Sequence, residues 1–183
     1  KPAVVLACYG ITGVQPSGAE KTGHPMPTVQ ITARKDSVFG PVISFGMGGP
    51  DAAIWADRAF GLPPLNLALS SQLMQHTKVA RLLQENAEQA PPPDFLPLVL
   101  CRFSYLLMDF PDIKSVGFQI DLSGQSTALL EPTLELEAQA SLSRTPYEHL
   151  CILPYPTQWM RKVVLSDGLE VLLRPIRPED EPL

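Results

Sequence analysis

Apolar residues fall into short runs along this chain, and prolines and glycines separate the runs. A short apolar run, or an alternation of apolar and polar residues, is typical of a β-strand. Strands are predicted over residues 3–7, 28–34, 42–45 and 52–55. Residues 12–23 are rich in glycine, serine and proline and have no periodicity, so they predict a loop.

The centre of the chain has helical spacing instead. Asn66 is expected to cap a helix whose apolar residues continue at helical intervals to Leu83, and this helix or its successor ends before Pro91. Asp94 is expected to cap a second helix that reaches Phe110 and is apolar around most of its circumference. Such a helix has to be buried, and Cys101 within it is expected to behave as a small core residue.

Two further pairs of strands follow. Residues 116–122 and 128–135 are apolar runs joined by the turn at 123–126, and residues 158–165 and 169–174 flank the Asp167–Gly168 hairpin signal. The expected fold is therefore α/β or α+β in two layers. It has a mixed sheet, two main helices and a C-terminal β-hairpin.

Composition narrows the class of protein. Among 183 residues, 45% are hydrophobic and 18% are charged, which excludes a disordered tail. No apolar run is long enough to span a membrane, and the net charge of −5 makes nucleic acid a poor partner. Three widely spaced cysteines give neither a disulfide framework nor a metal site, so a cytoplasmic setting is expected.

Few residues offer chemistry by themselves. The glycines of residues 46–49 could cradle a phosphate at the end of a strand, or could simply form a tight turn. Four acidic residues could supply the carboxylates of a magnesium–nucleotide site, or could be solvated surface groups. They are Asp51, Asp57, Asp121 and Glu131. The three histidines have no nucleophile spaced near them. Trp55 and Trp159 could anchor the core or an interface, and the sequence favours the core.

Six motifs in a fixed order give a stronger signal. They are DSVFGPV at 36–42, FGMGG at 45–49, LPPLN at 62–66, MDFPDI at 108–113, LPYP at 153–156 and LRPIRPEDEP at 173–182. This series resembles the C-terminal part of the NDP-forming acyl-CoA synthetase-like region of bacterial GNAT-type protein lysine acetyltransferases, where an ATP-grasp domain precedes the acetyltransferase domain. The resemblance covers about residues 28–183.

The resemblance implies a division of the chain. Residues 1–27 are an N-terminal strand and loop, of which Leu6–Ile11 resembles the opening of an ATP-grasp domain. Residues 28–150 form an ATP-grasp-like subdomain, and 151–183 form a linker hairpin with the first residues of a GNAT domain. The implied partners are that GNAT domain and preceding CoA-binding domains, with self-association possible. The fragment is not expected to acetylate anything alone, and no catalytic residue is assigned.

The resemblance also implies a site. Gly46, Gly48, Gly49, Gln119, Asp121 and Glu131 are the candidate nucleotide-binding residues, and Asp121 is the candidate metal ligand. Active relatives carry the pattern Glu-x-Asp-x-Asn-Pro where this chain has Gly117, Gln119, Asp121 and Leu122. They also carry Glu where it has Thr28 and Ala53. Since magnesium requires anionic oxygens, these departures favour a degenerate domain that serves the acetyltransferase as a regulatory or structural platform.

Two other functions stay open at this point. One is an active ligase that binds ATP or ADP with magnesium and exchanges an acyl phosphate with CoA. The other is a sensor that binds acetyl-CoA without turning it over.

Overall fold

The computed structural model describes residues 1–12, 27–50, 52–88, 90–122, 128–137 and 146–176. Most of the predicted loop at 12–23, Asp51, the turn at 123–126 and residues 177–183, which include most of the expected GNAT start at 174–180, lie outside these residues. The chain forms two units, Lys1–Ile152 and Leu153–Leu183.

The first unit is an α+β domain. Its elements are α1 (Pro2–Cys8), β1 (Thr28–Asp36), β2 (Gly40–Met47), α2 (Ala52–Trp55), β3 (Arg58–Gly61), α3 (Leu67–Gln75), α4 (Lys78–Glu85), α5 (Phe95–Asp109), β4 (Ile113–Asp121) and β5 (Ala128–Leu136). The strands form one sheet in the order β3-β2-β1-β4-β5. Every pairing within it is antiparallel, so the expected mixed sheet is wrong while the α+β class is confirmed.

One face of the sheet carries the core. The odd-numbered residues Val29, Ile31 and Ala33 of β1 are buried on this face, as the alternation in the sequence predicts. The buried residues of α1, α3, α4 and α5 pack into the same cluster. Phe103 of α5 meets Phe118 of β4 edge to face, with the ring centroids 5.5 Å apart. The opposite face of the sheet carries mostly polar side chains.

Helix α5 follows its prediction closely. It is buried along most of its length, and Cys101 is a buried core residue that lies 3.4 Å from the Ser70 hydroxyl. Asp94 precedes the helix, but its side chain makes no capping hydrogen bond. The preceding helical stretch is two helices, because Thr77 starts α4 anew and its hydroxyl accepts from the backbone N–H of Ala80.

Four further expectations are wrong. Residues 3–7 and 52–55 were expected as strands, but they lie in helices α1 and α2. Pro2 is tolerated in the first turn of α1, where a backbone N–H has no helical partner. Trp55 and Trp159 were expected in the core, yet they are 47% and 66% exposed. Trp55 instead lies beneath the Lys78 ammonium, 5.9 Å from the ring centroid.

The second unit contains the predicted hairpin. A 3-10 turn at Thr157–Trp159 precedes β6 (Arg161–Val164), which pairs antiparallel with β7 (Glu170–Leu173). Gly168 in the turn has a φ of +83°, a value that glycine adopts without strain. Among the helices in the described part of the chain, none is long and apolar enough to cross a membrane.

Candidate functional site

The register of β1 brings distant residues to one end of the sheet. Gln30 in β1 is opposite Gly46 on one side and Gln119 on the other. Thr28, two residues earlier in β1, is opposite Asp121. The glycine-rich end of β2 and the polar end of β4 therefore lie on either side of the first residues of β1.

A chain of hydrogen bonds joins three of the six candidate residues. The backbone N–H of Gly49 donates to Oε1 of Gln119 at 2.8 Å. Nε2 of Gln119 then donates to Oε2 of Glu131 at 2.9 Å. The amide of Gln119 therefore has a fixed orientation, with its oxygen toward the glycine turn and its nitrogen toward a carboxylate.

The glycine turn is closed against β1. The N–H of Gly48 donates to the carbonyl oxygen of Thr28 at 2.7 Å. A Cβ atom on Gly48 would lie 3.0 Å from Cγ2 of Thr28 and 3.1 Å from Oε1 of Gln119. Gly49 has a φ of +80°, which explains why the turn needs glycine there.

Gly46 has a different structural role. A Cβ atom at this position would lie 1.8 Å from the carbonyl oxygen of Asp57, so only glycine fits. The same carbonyl accepts a hydrogen bond from the N–H of Met47 at 3.2 Å. Gly46 thus lets β2 and the segment entering β3 approach each other.

Asp57 acts as a helix cap in this structure. Its carboxylate is 4% exposed and accepts from the N–H of Lys78 at 2.6 Å and from that of Val79 at 2.9 Å. These are the first two residues of α4, whose amide groups have no partner within the helix. Both oxygens of Asp57 are therefore used to hold α4 against the end of β2.

The resemblance expects a carboxylate at position 117, but neighbouring side chains occupy the space beside Gly117. A Cβ atom on Gly117 would lie 2.8 Å from Cγ2 of Thr32 and 3.4 Å from Oγ1 of Thr133. The pairing of β4 with β5 is irregular between Gly117 and Gln119, and Glu131 has a φ of +48° there.

Asp121, the candidate metal ligand, is half-buried and is opposite Thr28 and Ala128. Across the residues that the structure describes, His, Cys, Asp and Glu side chains do not gather in threes close enough to hold a metal ion.

The FGPV motif at 39–42 is explained by packing. Oδ1 of Asp36 accepts from the N–H groups of Phe39 and Val38, which lowers the pKa of Asp36. Gly40 has a φ of +67°, and a Cβ atom on it would lie 2.1 Å from the carbonyl oxygen of His149. His149 in turn contacts the carbonyl oxygen of Leu107 through Nε2 at 2.9 Å, so this histidine has a structural position.

Comparison with known proteins places this architecture in a family. Residues 4–119 match the ATP-grasp domain family, a range that includes the glycine turn and Gln119 but ends before Asp121 and Glu131. The ADP-forming acetate–CoA ligase I of Archaeoglobus fulgidus is 30% identical over 81 residues, which are 44% of this chain and 12% of that protein. The ADP-forming 4-hydroxybutyrate–CoA ligase of Nitrosopumilus maritimus is 33% identical over 88 residues, 47% of this chain and 12% of that protein.

Solved structures agree on the fold. A crystal structure of a Pyrococcus horikoshii Ot3 protein has a TM-score of 0.55 and 24% identity, covering 64% of this chain and 52% of that one. The dinucleotide-forming acetyl-coenzyme A synthetase 1 of Ca. Korarchaeum cryptofilum, in complex with coenzyme A and Mg-AMPPCP, has a TM-score of 0.55 and 18% identity, covering 63% and 55%.

The chain spans about half the length of these structural neighbours, and the match covers 12% of each curated relative. Because the family match covers more than half of its residues, the chain belongs to the ATP-grasp domain family and is related to the ADP-forming acyl-CoA synthetases.

Proposed function

We propose that this chain is part of an acyl-CoA synthetase-like ATP-grasp region that has lost magnesium-dependent nucleotide binding and supports a GNAT acetyltransferase domain as a regulatory or structural platform. The observation that carries the proposal is the engagement of Gln119. Its side chain accepts a hydrogen bond from the N–H of Gly49 and donates another to the carboxylate of Glu131.

The charge at position 119 is the first reason. Magnesium is a hard cation that gives up hydration water only for anionic or strongly polar oxygens. Gln119 is neutral where the related pattern has a carboxylate, and its one oxygen already accepts from Gly49. Glu131, which could supply charge, accepts a hydrogen bond from the Gln119 amide. These residues do not fit a magnesium–triphosphate group.

The glycine turn supports the same conclusion. A phosphate held by a glycine-rich turn accepts hydrogen bonds from backbone N–H groups. In this chain the N–H groups of Gly48 and Gly49 already donate to Thr28 and Gln119. A bound phosphate would have to displace both acceptors from within the protein.

The packing around Gly117 limits restoration of the site. Cγ2 of Thr32 is a methyl group on a β-branched side chain, which has little freedom to move. Because a Cβ at position 117 would lie 2.8 Å from this methyl, a carboxylate there needs a shift of β1 or a smaller residue at position 32. The sheet is therefore adapted to glycine at this point.

The hairpin unit supports the proposed partners. A two-stranded hairpin is marginally stable on its own, and this one exposes Val164, Leu172 and Ile176 by at least half of their surface. The acetyltransferase domain would cover part of this surface, while CoA-binding domains would precede the chain and further copies could associate with it. We place the protein in the cytoplasm, in keeping with its unpaired cysteines.

Isothermal titration calorimetry tests the proposal. ATP and ADP are titrated into the chain with excess magnesium and again with EDTA, and acetyl-CoA is titrated in parallel. We expect no magnesium-dependent nucleotide binding tighter than about 1 mM. Micromolar, magnesium-dependent binding would contradict the proposal and favour an active ligase. Heat with acetyl-CoA alone would replace the platform with a sensor.

A pair of variants identifies the cause of the loss. Gln119→Asp returns a carboxylate of the related pattern, and Gln119→Asn has the same size without the charge. If the missing charge is the cause, magnesium-dependent binding is stronger in Gln119→Asp than in Gln119→Asn. Equal affinities would show that position 119 is not where nucleotide binding was lost.

A further inference from the structure

The helical layer of the first unit contains a second candidate site. A pocket of about 330 Å³ lies between α3, α4 and the segment that leads into α5. Small-molecule sites in proteins have volumes of about 300–1,000 Å³, so this pocket has room for a small ligand only. The glycine turn and Gln119 do not line it, so it is separate from the candidate nucleotide site.

Proline rings form one wall of the pocket. Pro91, Pro92 and Pro93 line it from the segment before α5, and Pro97 lines it from within that helix. The proline ring is rigid because it closes on the backbone. Proline-rich segments are surfaces against which aromatic rings pack when proteins recognise such segments. The wall therefore favours a flat aromatic ring over a flexible chain.

The floor of the pocket belongs to the hydrophobic core. Leu83 of α4 and Leu96 of α5 line the pocket and are buried core residues. Met74 of α3 also lines it and packs against the same core. A methionine side chain is flexible and adapts to the shape of its neighbour. An apolar ring in the pocket would therefore lose contact with water on more than one side.

Backbone and side-chain hydrogen bonds hold the proline wall in place. The N–H of Ala90 donates to the carbonyl oxygen of Asn86 at 3.1 Å, and the N–H of Phe95 donates to that of Pro92 at 2.9 Å. Nδ2 of Asn86 donates to the carbonyl oxygen of Leu82 at 2.8 Å. The segment is thus attached at both ends, so the pocket is formed before a ligand enters and binding does not have to order the wall.

The polar groups of the pocket are uncharged. They belong to Ser71, Gln75 and Gln84, of which the two glutamines are exposed. Each glutamine amide offers an acceptor oxygen and two N–H donors. Within the described part of the lining, no residue carries a charge. A phosphate, carboxylate or ammonium group in the pocket would therefore lose hydration without gaining an ionic partner.

We propose that this pocket binds a small, neutral aromatic molecule that carries an amide or a similar hydrogen-bonding group. The ring would lie against the prolines and Met74, and the polar group would meet Gln75 and Gln84. The volume, the fixed proline wall, the buried floor and the uncharged polar groups together define this ligand chemistry. The inference goes beyond the proposed function and uses no residue of the candidate nucleotide site.

Benzamide is the test ligand, because it is a flat, neutral ring with one amide group. It is titrated into the isotope-labelled chain, and binding is followed by nuclear magnetic resonance of the backbone amides of Ala80, Leu83 and Leu96. We expect saturable shifts with a Kd of about 1 mM or tighter. Shifts that do not saturate up to about 10 mM, or that occur only elsewhere in the chain, would overturn the proposal.

Two analogues test the chemistry of the ligand. Benzoate has the shape of benzamide but carries a charge, and it should bind about tenfold more weakly because the described lining offers no cation. Cyclohexanecarboxamide keeps the amide but has no flat ring, and it should also bind about tenfold more weakly. If either analogue binds as tightly as benzamide, the proposed ligand chemistry is wrong.

A variant that fills the pocket tests its location. Ala87 lines the pocket and is exposed, so Ala87→Trp places an indole ring at the pocket without burying it in the core. It should weaken benzamide binding by about tenfold or more while the melting temperature is unchanged or higher. Ala3→Trp makes the same change on the exposed side of α1 and should leave the affinity unchanged. Equal affinities in these two variants would contradict the assigned location.

A second variant tests the polar contacts without adding bulk. Gln75→Met combined with Gln84→Met keeps the length of both side chains and removes both amides. Benzamide should bind about fivefold or more weakly to this variant, whereas toluene, which has no amide, should bind as it does to the wild type. An unchanged affinity for benzamide would contradict the role of the glutamines. Because these titrations contain no magnesium or nucleotide, their outcome is independent of the calorimetry on Gln119.

Discussion

The backbone N–H of Gly49 is 2.8 Å from the side-chain oxygen of Gln119, a residue 70 positions later in the sequence. This hydrogen bond crosses from the glycine turn after β2 to β4, on the far side of β1. It connects a backbone N–H of the glycine turn to Gln119, which the sequence resemblance aligns with a carboxylate of active relatives. Under the proposed function, the protein satisfies internally a donor that an active nucleotide site would keep for its ligand.

Replacing Gln119 by glutamate tests this network through stability. Gln119→Glu keeps an acceptor for the N–H of Gly49 but places a second carboxylate against Glu131. In the wild type, Glu131 instead accepts a hydrogen bond from Nε2 of Gln119 at 2.9 Å. Like charges at this distance should destabilise the domain by about 1–2 kcal/mol near neutral pH, and the loss should shrink as acid protonates one of the pair.

Urea unfolding at neutral pH and in mild acid measures the difference. Gln72→Glu on the exposed side of α3 adds the same charge at a position without such a neighbour and should have little effect. Equal losses in the two variants would show that residues 119 and 131 are not in contact.

Gly46→Ala should be strongly destabilising. The added methyl group would lie 1.8 Å from the carbonyl oxygen of Asp57, so the backbone of β2 or β3 has to move. We expect a loss of about 3 kcal/mol or more in the free energy of unfolding. Gly49→Ala is the matched control, since its Cβ has no atom closer than 3.8 Å and only the positive φ is strained. It should cost about 1–2 kcal/mol. A reversed order would contradict the assignment of Gly46 to packing.

Asp57→Ala should cost more than the loss of an ordinary cap. It would leave the N–H groups of Lys78 and Val79 without their acceptors in a buried place, at a cost of about 2–4 kcal/mol. Asn66 caps α3 at an exposed position through one bond to Leu69, so Asn66→Ala should cost about 1 kcal/mol. Chemical denaturation of both variants gives the comparison, and equal costs would argue against the buried cap.

Tyr9 should titrate at unusually high pH. Burial, and then the hydrogen bond that Tyr9 donates to Asp109, raise its pKa from 10.0 to about 12. Because the folded pKa lies above the unfolded one, the stabilisation is complete below about pH 10 and disappears as the pH rises through about 12.

The absorbance of tyrosinate, compared between the wild type and Tyr9→Phe, isolates this group among the four tyrosines. Asp109→Asn should move the transition back toward pH 10, since the carboxylate no longer opposes the phenolate charge. A Tyr9 transition near pH 10 in the wild type would mean that α1 does not hold this contact in solution.

Local pattern predicted much of the fold. Three elements could be predicted from a few neighbouring residues each. They are the alternating strand β1, the helix α5 with apolar residues around most of its circumference, and the Asp167–Gly168 hairpin. Helix α1 failed this kind of prediction, because a short apolar run fits a buried helix as well as a strand, and only Pro2 signals the helix. The two tryptophans failed for a related reason. A large apolar side chain favours burial, but Trp55 lies in the short helix α2 and Trp159 in a 3-10 turn, and neither element has a buried residue.

The sequence proposed candidate residues for the site but not the hydrogen bonds between them. The motifs singled out Gly49, Gln119 and Glu131, but their hydrogen bonds depend on the register of three strands that are far apart in sequence. Asp57 was a candidate ligand by its position after the glycines, and it became a helix cap because α4 begins beside it in space. These hydrogen bonds depend on contacts between residues far apart in sequence, and a local sequence pattern does not predict such contacts.

The most direct test is nuclear magnetic resonance of the Gly49 amide. Scalar coupling across the hydrogen bond between the Gly49 nitrogen and the side-chain carbonyl carbon of Gln119 reports that bond alone. We predict that the coupling is present in the free chain and is unchanged when ATP and magnesium are added in excess. Loss of the coupling on addition of magnesium and ATP, with a shift of the Gly49 amide resonance, would show that a phosphate takes this donor and would contradict the proposed loss of nucleotide binding.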